Sequence, residues 1–148
     1  MSNPFAELEH QLERIPIRRL EIERLLEKMD HDLDAAEYNL NKMPDWAVKM
    51  AHEAIPSGCT ALMIAYGYRS KVNGHHYVTI RFAQLALPAH KAMFDHAERL
   101  RRLRHQVTYG TEYTVSEEEA AGALQLVHQL APVLKKAALE ALTRSERK

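Results

Sequence analysis

Cysteine is nearly absent from this chain, with one residue, Cys59, in 148. A lone cysteine closes no intrachain disulfide and forms no Cys-x-x-Cys metal or redox motif. Its neighbours Ala54, Ile55, Ala61 and Leu62 are apolar, so Cys59 is expected to be a buried, inert thiol. Long apolar runs are missing too. No window approaches 18 uninterrupted apolar residues, which excludes a membrane-crossing helix. The opening Met1-Ser2-Asn3-Pro4-Phe5-Ala6-Glu7 has neither a basic stretch nor an apolar one, so no secretory signal is read there and a cytoplasmic protein is expected. The phosphate loop, the dinucleotide fingerprint, the His-Glu-x-x-His and His-x₃-His zinc patterns and the serine nucleophile elbow are all absent. The adjacent His75 and His76 would point about 100° apart on a helix, so they do not share one metal. No metal and no cofactor is expected.

Net charge is the last absence. Twenty Lys and Arg balance twenty Asp and Glu, for a formal charge of +0. Taken whole, that argues against a generic nucleic-acid binder, which usually carries a strongly basic domain. The balance is a cancellation between segments. Residues 1–37 carry −5, residues 38–68 carry 0, residues 69–104 carry +6 and residues 105–148 carry −1. His75, His76, His90, His96 and His105 fall in or beside the basic segment, so mild acid makes it more positive.

What is present is helical periodicity. The 46% apolar and 27% charged fractions describe an ordinary soluble protein, and a chain of this length buries roughly two thirds of its unfolded surface in one core. Residues 1–148 are read as a single domain. Asn3-Pro4 opens a short extra N-terminal helix over residues 1–16, ended or kinked by Pro16. From about Ile17 to Leu40, the positions Leu26, Met29, Leu33, Ala36 and Leu40 step by three and four, the mark of an amphipathic helix. Met43-Pro44-Asp45 punctuates the chain, with Asp45 expected as the next N-cap. The helix from about Trp46 to Tyr66 is apolar on most sides, contains Pro56 and is closed by Gly67. Tyr68 to Gly74 reads as a polar loop. A helix from His75 to Leu87 follows, then a longer one from Ala89 to Tyr109 closed by Gly110. Ser116-Glu117-Glu118-Glu119 is a capping box ahead of a final helix that Pro132 should bend. The short β-prone stretches Tyr77–Ile80 and Tyr113–Val115 are too isolated to build a sheet. The fold class is therefore all-α, an antiparallel bundle of four to six helices, several of them kinked at proline.

The most informative stretch is Glu98 to Gly110. Following Met93, Ala97 and Leu100 along the helix lands on Arg104 and then Val107, so an arginine occupies a seam position. Such a guanidinium must pair, reach a cleft or sit at a subunit interface, because an unpaired buried charge costs several kcal/mol. Arg99, Arg101 and Arg102 fall off the stripe toward solvent and, with Arg69 and Lys71 from the preceding loop, are candidate cations for nucleotide or RNA. His105 follows Arg104, and Tyr109 lies one turn beyond it. An arginine that stabilises phosphoryl charge beside a histidine that moves protons suits metal-independent RNA cleavage through the 2′-hydroxyl.

Four segments together carry a resemblance: Met29 to Glu37, Trp46 to Ala54, Ala61-Leu62-Met63-Ile64-Ala65-Tyr66-Gly67-Tyr68-Arg69-Ser70-Lys71 with His75-His76 after it, and Leu103-Arg104-His105-Gln106-Val107-Thr108-Tyr109. The chain resembles HEPN domains over about residues 20–140. The resemblance implies a helical bundle that forms a homodimer, with Arg-bearing helix ends facing each other across a cleft. Many such domains resemble ribonuclease toxins encoded beside a small nucleotidyltransferase antitoxin, which implies that partner, with RNA or nucleotide as ligand. The ribonuclease members carry Arg, then His four to six residues later, usually with a polar residue after the Arg. Here Arg104 matches the arginine and His105 the polar position, while Tyr109 falls where the catalytic histidine would be. A tyrosine with an ordinary pKa near about 10 is a poor general base at neutral pH. The register Arg99-x₅-His105 also satisfies the spacing, but it moves the motif away from the helix end. The expected function is thus nucleotide or RNA binding in a basic dimer cleft, within a toxin–antitoxin type module. An active endoribonuclease toxin and a non-catalytic helical adaptor are the alternatives.

Overall fold

The structure, a computed structural model, describes residues 3–71, 76–109 and 115–147, and for residues 76, 100, 101 and 103–109 it describes the backbone alone. Five α-helices account for most of these residues: α1 (Arg19–Asn39), α2 (Pro44–Ala65), α3 (His76–Ala86), α4 (Lys91–Tyr109) and α5 (Glu117–Glu146). The all-α bundle read from the sequence is the fold. Val72 to His75 and Gly110 to Thr114, including the expected Gly110 cap, lie outside the described residues.

The stripe on α1 arises from the spacing of its apolar residues. Ile22, Leu26, Met29, Leu33 and Ala36 are buried, while Glu27, Asp34 and Glu37 between them remain exposed. The stripe faces α2, which is buried along almost its whole length and through every position from Ala61 to Ala65. A helix apolar all round belongs in the centre of a bundle, and α2 packs against α1, α5, α3 and α4. Three cross-links give the relative direction of α1 and α5: Arg19 with Glu146, Asp30 with Lys135 and Glu37 with His128. As the number rises on α1 it falls on α5, so the two run antiparallel. These pairs are half-exposed, and such pairs are worth about 0–1 kcal/mol each; they record the register more than they hold it.

Local chemistry closes the helix ends. The Ser116 hydroxyl accepts from the Glu119 amide at 3.0 Å, the capping interaction expected for α5. Gly67 ends α2 with φ of 85°, a left-handed conformation that a side chain resists. The start of α2 differs from expectation. Met43 is the N-cap, with no side-chain cap bond, and Pro44 takes the first helical position, leaving Asp45 inside the first turn. A proline ring already fixes φ at a helical value and has no N–H to satisfy, so it suits that position better than the interior. Pro56 and Pro132 lie inside α2 and α5, which continue through them.

Tyr77 to Ile80, β-prone but read as part of the helix from His75 to Leu87, forms the first turns of α3 with Val78 and Ile80 buried. The strand content does correct the sequence reading. The segment expected to be a loop from Tyr68 instead begins as strand β2 (Tyr68–Ser70), which pairs antiparallel with β1 (Leu12–Arg14) in the register Glu13 opposite Arg69. Strand preference reflects the surface a segment packs on more than its own residues. Residues Ala6–Gln11, ahead of β1, form a 3-10 helix. The N-terminal segment supplies core: Phe5, Leu8 and Leu12 are buried. Phe5 stacks on Phe82 at 4.1 Å between ring centres and meets Tyr66 and Tyr68 edge-on at 5.6 and 5.8 Å. Cys59 is fully buried, and burial pushes its thiol pKa far up, so it is the inert thiol expected.

At Gly58 three helices come close together. A Cβ there would fall 2.5 Å from the Met29 sulfur and 2.9 Å from Leu134 Cδ1. In an exposed helix Gly→Ala stabilises by up to about 1 kcal/mol. Here the sign reverses: Gly58→Ala is expected to cost about 1–3 kcal/mol through overpacking, measured as a lower urea midpoint at unchanged slope.

Candidate functional site

Helix α4 carries the candidate motif, and its first half is anchored from three directions. Phe94 and Ala97 are buried in the core at 0% and 1% exposure. Asp95, on the neighbouring face, accepts the Gln84 side-chain amide at 2.8 Å and the Lys91 ammonium at 3.3 Å. Gln84 is itself buried, and its carbonyl accepts from Arg81 at 3.0 Å. Arg81 completes the chain with a two-pronged bond to Glu7, at 2.8 and 2.7 Å. A paired guanidinium–carboxylate fork of this kind is directional as well as attractive. The 3-10 helix near the N-terminus, α3 and α4 are thus joined by one polar chain: Glu7, Arg81, Gln84, Asp95.

The electrostatics follow the chain. The Arg81 hydrogen bonds hold the Glu7 carboxyl below its ordinary range, and Glu7 in turn raises the Arg81 pKa. Asp95 is held low first by the Gln84 amide, then by Lys91, with Arg99 contributing from one turn along α4. The sequence reading missed this network. Its members are single polar residues on three separate elements, and the only signal was a glutamine, Gln84, inside the otherwise apolar stretch from Phe82 to Leu87.

Beyond Ala97 the helix turns basic. Arg99 and Arg102 are exposed, the solvent-facing placement their periodicity gives. Arg104, His105 and Tyr109 occupy the last turns of α4, and the side chains of these residues and of Arg101 lie outside the described ones. The helical backbone puts His105 and Tyr109 one turn apart on neighbouring ground, with Arg101 one turn before His105. Arg69 and Lys71 belong elsewhere. Arg69 is on β2 and donates to Glu21 of α1 at 2.6 Å, and the Lys71 amide donates to the Gln11 carbonyl at 2.8 Å. α4 packs on α2, α3 and α5, whereas β2 packs on β1 and α2. The candidate cations therefore sit in two groups, one on α4 and one beside α1.

Among the described residues no cluster of three or more His, Cys, Asp or Glu could hold a metal ion. No described helix is long and apolar enough to cross a membrane. Compared with known families, the sequence matches the HEPN domain model over residues 22–137. The chain belongs to the HEPN family. The match runs from Ile22 at the start of the α1 stripe to Ala137 within α5, and so takes in the whole of α2, α3 and α4. HEPN membership makes this a helical domain of the nucleotide- and RNA-related kind, from a family whose domains often dimerise. No curated protein matches the sequence.

Glu7 and Asp95 both have depressed pKa values in the folded chain. Their contribution is present above the ordinary carboxylate pKa of about 4 and is lost as pH falls through the lower, folded values. Glu7→Gln is expected to lower the melting temperature at neutral pH. Melting curves of the variant and the parent, followed by circular dichroism, should converge below about pH 4.

Proposed function

We propose that this HEPN protein binds nucleotide or RNA in a basic cleft formed where the α4 ends of two copies meet. The observation that carries the reading is the charge of α4 beyond its anchor: Arg99, Arg101, Arg102 and Arg104 follow one another within two turns, on a helix whose preceding turn is fixed in the core by Phe94 and Ala97. Preorganised cations on a rigid element suit phosphate better than cations on a loop. Arg104, at the seam position, is the residue that contacts phosphate. Arg99, Arg101 and Arg102 widen the field, and Tyr109 closes the site with a hydroxyl that can donate a hydrogen bond to phosphate. The working assembly is a homodimer in the cytoplasm, and the partner is a nucleotidyltransferase acting as antitoxin.

His105 favours a second reading, endoribonuclease activity. It is the titratable group nearest Arg104 in sequence, and a histidine with an ordinary pKa of about 6.5 can accept and return a proton at neutral pH. Binding and cleavage separate cleanly by experiment. For the binding reading, Arg104→Ala should weaken fluorescent nucleotide or RNA by tenfold or more without changing the dimer mass measured by light scattering. A monomeric parent, or an Arg104→Ala variant that binds equally well, would falsify it and leave a helical adaptor. For the cleavage reading, purified parent should degrade RNA without added metal, and His105→Ala should slow it by about 10²–10⁴.

A further inference from the structure

Summed along the chain, the first 37 residues are acidic, but the fold separates their charges. The second half of α1 carries Asp30, Asp32, Asp34 and Glu37 with no Lys or Arg, whereas residues 18–28 carry Arg18, Arg19, Arg24 and Lys28 against Glu21, Glu23 and Glu27. Beside that beginning runs a surface groove between α1 and β2, lined by Arg18, Leu20, Glu21, Arg24, Lys28 and Arg69. A smaller depression continues it past Ile15 and Pro16, sharing Arg18, Glu21 and Arg69. The groove flanks the buried stripe of α1, so its cations face outward while Ile22, Leu26 and Met29 face the core.

The cations are held in different ways. Arg69 donates to Glu21 at 2.6 Å across the groove, and Lys28 pairs with Asp32 at 2.7 Å. Arg18 and Arg24 are exposed and, among the described residues, have no carboxylate within pairing distance. Leu20 stands between them with 58% of its surface exposed. The carboxylates at this end are Glu13, opposite Arg69 in the strand register, and Glu21, Glu23 and Glu27 of α1; of these Glu21 lines the groove and Glu23 pairs with Arg19. From Arg18 to Lys28 the groove follows about 15 Å of helix. Two unpaired guanidinium groups set along an open channel, with an exposed leucine between them, suit an extended polyanion with apolar faces between its charges.

We propose that this groove binds the phosphodiester backbone of a single-stranded nucleic acid, with Arg18 and Arg24 on successive phosphates and Leu20 against the sugar or base between them. The proposal takes the kind of polymer from the RNA reading above but uses a different surface, on α1 and β2 instead of α4. Arg69 borders the groove already paired with Glu21. An incoming phosphate competes with Glu21 for it.

The test uses the full chain and a short 5′-fluorescein 2′-O-methyl oligouridine, which lacks the free 2′-hydroxyl needed for cleavage, followed by anisotropy over a range of salt. The double variant Arg18→Ala/Arg24→Ala should bind at least tenfold more weakly. Its plot of log affinity against log salt should be shallower by about 1.4, since each phosphate that is no longer neutralised removes about 0.7 from the slope. Arg18→Lys/Arg24→Lys keeps the charges and should retain most of the affinity. It also covers the case in which the alanine pair, checked by circular dichroism, fails to fold. Unchanged affinity and slope in the alanine pair would overturn the groove, as would a parent chain that does not bind the oligonucleotide. Competition by polyglutamate as effective as by oligouridine of equal charge would overturn the phosphodiester assignment. Loss on Arg104→Ala alone overturns the groove and leaves the α4 site standing. Loss on the Arg18/Arg24 pair alone supports the groove and removes the oligonucleotide from α4, where mononucleotide binding still decides the earlier reading.

Discussion

The bundle depends on how closely three helices meet at Gly58. Met29 of α1 and Leu134 of α5 both reach the space that a side chain on Gly58 would fill. Interiors pack at crystal-like density, so a close approach of this kind admits few alternative arrangements. The small residues of α2 have the same effect along its length. Ala47, Ala51, Ala54, Cys59 and Ala61 are all buried, and each lets a neighbouring helix lie nearer than a leucine would. A glycine costs helix propensity of about 1 kcal/mol relative to alanine. That cost is offset by the contacts of α1 and α5, which become possible only because Gly58 has no side chain. Once these two helices are set on α2, the ion pairs between them need only to agree with a register already chosen.

The N-terminal segment completes the same core from outside the family-matched region. The HEPN match begins at Ile22, yet Phe5, Leu8 and Leu12 are buried members of the same core as α2. Phe5 stacks on Phe82 of α3, and two residues further along the chain Glu7 grips Arg81, the residue before Phe82. Apolar and polar contacts thus secure the same two pieces of chain. Because Arg81 also binds Gln84, and Gln84 binds Asp95, the segment ahead of the family match bears on the orientation of α4. A charged residue remote from α4 in sequence, Glu7, is linked to it through a chain of hydrogen bonds.

Much of the fold was legible because its determinants are local. The buried residues of α1, Leu26, Met29, Leu33 and Ala36, repeat at the helical period. Gly67 and Ser116 act within a few residues of themselves. Tyr68 to Ser70 failed as loop for the converse reason. What decides it is a partner far along the chain, Leu12 to Arg14. The candidate site divides in the same way. The exposure of Arg99 and Arg102 follows from the phase of one helix. The link from Glu21 to Arg69 spans 48 residues, and no period in the sequence encodes it.

The zero net charge shows how far such non-local pairing alters a functional reading. Charge summed along a chain describes a patch only where neighbours in sequence are neighbours on the surface. On α4 they are, since Arg99 to Arg104 lie within two turns, and the linear sum points to a basic helix. On α1 the sum hides a reversal. Residues 18–28 carry four cations against Glu21, Glu23 and Glu27, whereas Asp30, Asp32, Asp34 and Glu37 follow with no Lys or Arg among them; Arg18 stands about 18 Å of helix from Asp30, beyond the roughly 8–10 Å over which surface charges act in physiological salt. The −5 of the first 37 residues is therefore not a property that any ligand meets. A phosphate approaching the start of α1 meets Arg18 and Arg24, with Glu21 already occupied by Arg69 and Glu23 by Arg19. The neutral chain thus has two separate cationic surfaces, one set by the phase of α4 and the other by the pairing of β2 with β1 and α1.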